Sequence, residues 1–173
     1  MYFVHTKKQK GFILVETIVY VILIGILCFT TVEVLITMSR SYGRLRVSQN
    51  INHSAVVTLE RLTREIRAGD SIDSGASTLN ATSGVLMLNG TDSGGNPRTV
   101  EFRLNNGIVD LTENSVFSGP LTSTRASTTK LLFRSLTSST SKAVEVEMTI
   151  QAGEGTFTKT AKFYTSAILR GSY

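Results

Sequence analysis

The polarity pattern changes character twice along the chain. From Phe12 to Leu27 apolar residues run almost unbroken, and the run continues through Cys28, Phe29, Val32, Val34, Leu35 and Ile36. About 20 mostly apolar residues suffice for a helix to cross a bilayer, so residues 12–36 are read as a transmembrane helix. Further on, Val47, Ile51, Ala55, Val56, Leu59, Leu62 and Ile66 recur mostly three or four apart. That is the spacing of one apolar stripe on a helix. The other faces carry Arg44, Gln49, Asn52, Thr58, Glu60, Arg61, Arg64 and Arg67. Glu60 and Arg64 make a favourably ordered i,i+4 pair, and Arg64 and Arg67 fall in the last turns, where the helix dipole favours cations. Gly69 is placed to end the helix. One helix of about 85 Å is therefore expected from Phe12 to Ala68, with Gly25 and Gly43 as places for a bend. Residues 12–36 form its membrane half, and residues 37–69 form an amphipathic half that packs on a domain.

After Gly69 the period shortens to two. GVLML, TVEFRL, IVDL, KLLFRSL and AVEVEMTIQ read as strands at 84–88, 99–104, 108–111, 130–136 and 143–151, and TFTKTAKFYTSAILR follows the AGEG turn. In AVEVEMTIQ the alternation is strict: Val144, Val146, Met148 and Ile150 take one face, and Glu145, Glu147 and Thr149 the other. Asn105-Asn106-Gly107 supplies residues that accept positive φ, so it joins two strands as a hairpin. NGTDSGGNPR and residues 112–129 read as a loop and a polar linker. Six or so strands after one long helix, with no βαβ repetition, predict an α+β fold with a mainly antiparallel sheet over residues 70–173.

The formal charge of the chain is +5, but Lys7, Lys8 and Lys10 lie ahead of the apolar run. Loss of that leader would remove three of the positive charges, so the basic balance says little about the folded domain. Three lysines before the run and Arg40, Arg44 and Arg46 after it leave orientation undecided on the count of flanking cations. A secretory signal has a shorter apolar core and a small-residue cleavage site. Neither is found here, so the segment is expected to remain in the mature protein. Cys28 is the one cysteine; it offers no internal disulfide partner and reads as a small lipid-facing or buried hydrophobe.

Glu16 breaks the apolar run. A charged side chain deep in a bilayer costs about 2.5–3.5 kcal/mol on insertion scales, which calls for a cationic partner. Cleavage after Gly11 would create an α-amino group on Phe12, one helical turn from Glu16. With a pKa of about 7.7–8.0 that amine is positive at neutral pH.

A basic leader ending in Gly11, then Phe12, then Glu16 as the fifth residue after the glycine, then a long apolar helix, resembles the class III prepilin signal. This is the cleavage and methylation motif of type IV pilins and type II secretion pseudopilins. The match covers about Lys7 to Ile36. The resemblance implies a leader of residues 1–11, removed after Gly11 by a membrane prepilin peptidase and methyltransferase on the cytoplasmic side. It implies N-methylation of Phe12, and pairing of Glu16 with the N-terminal amine of an adjacent subunit during assembly. It implies a lollipop-shaped subunit, single-pass in the cytoplasmic (inner) membrane, with the N-terminus inside and the β-rich domain outside. Its partners would be other pilins or pseudopilins, the inner-membrane assembly platform and membrane lipid. The terminal FYTSAILRGSY also resembles the ends of minor subunits of the pilus W or secretion J type. The missing C-terminal cysteine pair departs from many major pilins. The expected function is that of a minor subunit that primes, caps or joins a pilus or pseudopilus.

The arginines suggest an alternative: a membrane-anchored module of the same family type for DNA uptake or adhesion. Arg61, Arg64 and Arg67 are its candidate anion or nucleic-acid contacts, although no aromatic platform is interleaved with them. A single-pass anchored protein outside any filament is a third reading. No HExxH, CxxC, GxSxG or phosphate-loop pattern occurs. His5 lies in the leader, and His53 reads as a helix-surface or packing residue. Asp70, Asp92 and Asn96 could hint at calcium, but TDSGGNP lacks the twelve-residue ligand loop and its closing glutamate, so it reads as a turn. The chain is thus expected to be a non-enzyme without metal or cofactor.

Overall fold

The computed structural model of the chain describes residues 12–138, 141–155 and 157–172. The leader, with Gly11 and the three lysines, lies outside the described residues. One helix, α1, runs over Phe12–Ala68 and is 57 residues long. Eight strands follow: β1 (Ser71–Ile72), β2 (Val85–Thr91), β3 (Pro97–Asn105), β4 (Ile108–Glu113), β5 (Val116–Pro120), β6 (Ser127–Thr137), β7 (Lys142–Glu154) and β8 (Phe157–Ile168), then a 3₁₀ turn at Arg170–Ser172. The fold is α+β, as expected. The strands form two antiparallel sheets, β1-β2-β3-β4-β5 and β6-β7-β8. The chain divides into two compact units, one ending at Tyr42 and the other starting at Gly43.

In the second unit the helix stripe supplies the centre of the core. Val47, Ile51, Ala55, Leu62 and Ile66 are buried, and Leu59 is partly so. Sheet one adds Leu86, Leu88, Val100, Phe102, Val109 and Leu111, and sheet two adds Leu131, Phe133, Val144, Val146, Met148 and Ile150. The helix is tied by side chains to both sheets. Arg61 pairs with Glu113 of β4, Thr58 Oγ1 donates at 3.4 Å to the carbonyl of Leu121 just past β5, and Thr63 and Thr165 of β8 share a hydroxyl contact at 3.5 Å. Two stripe assignments change. Val56 is 61% exposed, because one residue past Ala55 turns the side chain about 100° away from the core. Thr58, expected on the polar face, is buried; its hydroxyl has the Leu121 carbonyl as partner, which makes that burial tolerable.

The strands extend into segments that look like loops in the sequence. β2 runs through Asn89 and Gly90 to Thr91, and β3 starts at Pro97, so the predicted ten-residue loop shrinks to Asp92–Asn96. The predicted linker at 112–129 holds the whole of β5, entered through Asn114 and Ser115, both at positive φ. β5 has no alternation to reveal it, because most of its residues are exposed on both faces. The Asn106-Gly107 hairpin is as expected, with φ of 47° and 79° and Asn105 paired to Ile108. Gly69 ends the helix by donating its N–H to Glu65 O at 2.9 Å, yet it is not left-handed, and the chain passes straight into β1.

The sheets meet at Gly84. Its N–H donates to Leu131 O at 2.8 Å, and Leu131 N–H donates to Thr82 O at 2.9 Å, which makes a short parallel contact along β6. A Cβ at Gly84 would stand 2.8 Å from that carbonyl oxygen and 2.9 Å from the Phe133 ring. Only glycine allows this approach.

The burial pattern predicts a contrast along one stripe. Leu62→Ala should lower unfolding stability by about 2–5 kcal/mol, whereas Val56→Ala should stay within about 0.5 kcal/mol of wild type. Urea unfolding of the full chain in detergent, followed by circular dichroism, checks both. Equal effects would place the stripe wrongly.

Candidate functional site

From Leu14 to Tyr42 every side chain is exposed. The helix contains an 18-residue window of mean hydropathy 2.5, none of it buried within the chain. It is long and apolar enough to cross a membrane once. Large side chains such as Leu14, Val21, Leu27 and Phe29 stand bare, far beyond the apolar patch that a water-facing surface carries. Five threonine and serine hydroxyls along this part of the helix turn inward to its own backbone. Thr17 donates to Leu14 O at 3.0 Å, Thr30 and Thr31 to Leu27 O at 3.0 and 2.7 Å, Thr37 to Glu33 O at 2.9 Å, and Ser41 to Thr37 O at 2.9 Å. Each hydroxyl proton thus has an acceptor without water. Cys28 is exposed on this same surface.

Glu16 projects from the start of this surface, and Tyr20 Oη donates to its Oε1 at 3.2 Å. A second carboxylate, Glu33, is exposed further along and was not singled out in the sequence. The two bracket the uncharged residues 17–32 and stand about 26 Å apart along the axis, close to the thickness of a hydrocarbon core. Tracking charges beyond Leu27 would have found Glu33. Of the expected processing residues, Gly11 lies outside the described residues, and Phe12 begins the helix.

The three candidate anion-binding arginines have different surroundings. Arg61 Nη2 is 2.6 Å from Glu113 Oε1 and 2.9 Å from Glu65 Oε1, and its Nε is buried without a partner. Arg64 pairs with Glu60 at 2.9 Å, as the spacing predicts. Arg67 is exposed, and no ion pair is found for it among the described residues. It lines a cleft of about 470 Å³ with Ala143, Ser166, Ala167, Ile168 and Arg170.

Arg61 belongs to a four-charge cluster that the sequence did not reveal. Glu65, 5% exposed, meets both Arg61 and Arg98, with Arg98 Nη1 2.9 Å from Glu65 Oε2 and Nη2 3.1 Å from Glu113 Oε2. Burial opposes the Arg98 charge, but its hydrogen bonds to Glu65 and Glu113 prevail and hold its pKa above the ordinary arginine value. The cluster pins α1 to β3 and β4. No periodicity marks it, because its members are 52 residues apart at the extremes.

On the outer face of sheet two, Lys130 Nζ donates to Glu147 Oε1 at 2.7 Å, and Arg134 reaches Glu145 and Glu147 at 3.4 and 3.5 Å. The Lys130 hydrogen bond lowers the Glu147 pKa. Asp92 accepts from Asn96 N at 2.9 Å and Gly94 N at 2.8 Å, and its pKa is likewise lowered, first by the Asn96 bond. These bonds close the β2–β3 turn. Among the described residues no three His, Cys, Asp or Glu side chains gather into a metal-binding set, and His53 is exposed on the helix. Compared with known proteins, the chain matches no family model, no curated protein and no solved structure.

Two predictions follow from the ion pairs. Glu65→Gln leaves two half-buried guanidinia short of a counter-charge and should cost about 2–3 kcal/mol, less than a fully buried broken pair because both arginines keep some exposure. Urea unfolding measures it, and an effect below about 0.5 kcal/mol would make the cluster ornamental. For Glu147 the folded-state pKa is lowered, so its contribution is present above the unfolded glutamate value and is lost as pH falls through the folded one. The melting temperature of wild type should therefore fall more steeply between pH 5 and about pH 3 than that of Glu147→Gln. Parallel melting curves across this range would refute it.

Proposed function

We propose that the chain is a minor pilin or pseudopilin, a structural subunit that primes, caps or joins a pilus or secretion pseudopilus. The observation that carries this reading is the Gly11, Phe12, Glu16 spacing at the head of a helix whose described side chains are all exposed as far as Tyr42. In this reading a prepilin peptidase cuts after Gly11 and a methyltransferase modifies Phe12. Glu16 then pairs with the amine of a neighbouring subunit at the assembly platform. The helix crosses the cytoplasmic membrane once, with the cleaved end inside and the β-rich unit outside. The chain performs no catalysis and is instead the substrate of its processing enzymes.

Several features support the reading. A carboxylate on a lipid-facing surface is a cost unless a cation meets it, and the new amine supplies one for Glu16. The second unit has a core of its own, built on residues 47–66 of the same helix. A DNA-capturing role would leave Arg67 alone of the three candidate arginines without a carboxylate among the described residues, so the assembly reading is preferred.

Intact-mass spectrometry of the mature protein tests processing. Wild type should lack residues 1–11 and carry one added methyl on Phe12, while Gly11→Val should retain the leader. Glu16→Ala should still be membrane-bound but absent from sheared filaments or from the assembled pseudopilus fraction. Assembled subunits that keep residues 1–11 would overturn the reading.

A further inference from the structure

The Glu16–Tyr20 contact carries an inference about the membrane segment itself. Tyr20 follows Glu16 by four residues, so both stand on one face of α1, and the side chain at the later position leans back over the preceding turn. Its hydroxyl reaches Glu16 Oε1 at 3.2 Å, and both residues are exposed on the apolar surface. The equivalent position after Glu33 is Thr37, and there the hydroxyl bonds to the Glu33 backbone carbonyl at 2.9 Å. A threonine is short and turns inward; only a side chain as long as tyrosine can span the turn to the carboxyl group. The phenol also keeps its ring among apolar neighbours while its one polar atom finds an acceptor.

We propose that Tyr20 is a positioning residue for Glu16. Its hydroxyl holds the carboxyl group against its own helix while the segment is in lipid, and is given up when a cationic group of another molecule takes the carboxylate. In hydrocarbon no water replaces a missing partner, so an internal donor lets Glu16 enter the membrane before any outside partner arrives. The inference rests on the helix lying in a membrane; it does not depend on leader removal or filament assembly.

A double-mutant cycle on the full chain separates this hydrogen bond from the change in hydrophobicity that any Tyr→Phe substitution brings. The four chains are wild type, Tyr20→Phe, Glu16→Ala and the double variant. Each is made with enough of residues 22–26 replaced by serine to bring parental insertion near one half. The readout is the ratio of carbonate-resistant to extractable protein in inverted membrane vesicles. Tyr20→Phe should lower this ratio about threefold more in the Glu16 background than in the Glu16→Ala background, the size of an average hydrogen bond within membranes. Equal effects in the two backgrounds would overturn the proposal. So would a chain without serine replacements that is fully extracted by carbonate, since the pair would then have no lipid to face. Failure of leader cleavage or filament assembly in the earlier experiments would leave this coupling unchanged, so the two readings fail separately.

Discussion

An α-helix closes its backbone hydrogen bonds within itself, and the rest of this structure depends on that property of α1. No other element of the described chain could stand bare over residues 14–42, because an isolated strand or loop would present unpaired N–H and C=O groups to lipid. The same self-sufficiency lets residues 47–66 enter the core of the second unit as a stripe and not as a sheet partner. The sheets need only supply apolar side chains and a few polar tethers. The two halves therefore differ in side-chain chemistry while the backbone rule is constant. In the first half, hydroxyls bond to their own helix. In the second, Thr58 bonds across to another segment.

The carboxylates on α1 follow the same logic with different partners. Glu65 is almost fully buried, and two guanidinia face it. Charge-assisted hydrogen bonds are the strong kind, and removal of one member would strand the others. Glu60 sits in water beside Arg64 and needs little. Glu16 has a single neutral hydroxyl. Within membranes an average side-chain hydrogen bond contributes about 0.6 kcal/mol, which offsets only part of the cost of a carboxylate in hydrocarbon. Glu16 thus still has much to gain from an outside cation, and so does Glu33, exposed on the same surface.

The helix was legible in the sequence because its signal is local. Residues 12–36 are apolar nearly all round, and apolar residues over 47–66 recur mostly every three or four positions. The hairpin at Asn106-Gly107 was legible because two residues alone determine its geometry. β5 was hidden because it packs neither face, so no alternation selects for it. The junction between the two sheets was hidden because it turns on Gly84, where the decisive fact is the missing Cβ against the Leu131 carbonyl. The Arg61–Glu65–Arg98–Glu113 cluster joins residues from three elements, and no spacing rule links them. Within the candidate site, Glu16 stood out as a charge in an apolar run. Its contact with Tyr20 emerged only once helical geometry placed both on one face.

The sheet edges bear on how copies of this chain would associate. β1 has only two residues, too few to template a long added strand. β5 carries Pro120, a register shift where β4 meets it between Leu111 and Thr112, and Gly119 at φ 148°. A proline and a bulge both obstruct edge pairing. β6 is covered along part of its length by residues 80–84. β8 is the longest open edge, and it bears Lys159 and Lys162, with Lys159 donating to Ser48 Oγ at 2.9 Å. Lysines on an edge strand oppose the approach of a like strand. With strand addition discouraged at all four edges, the exposed apolar surface of residues 14–42 is the one that contact between copies would use. A contact made there would bring each Glu16 close to the helix of a neighbour, within the reach of whatever cation that neighbour offers.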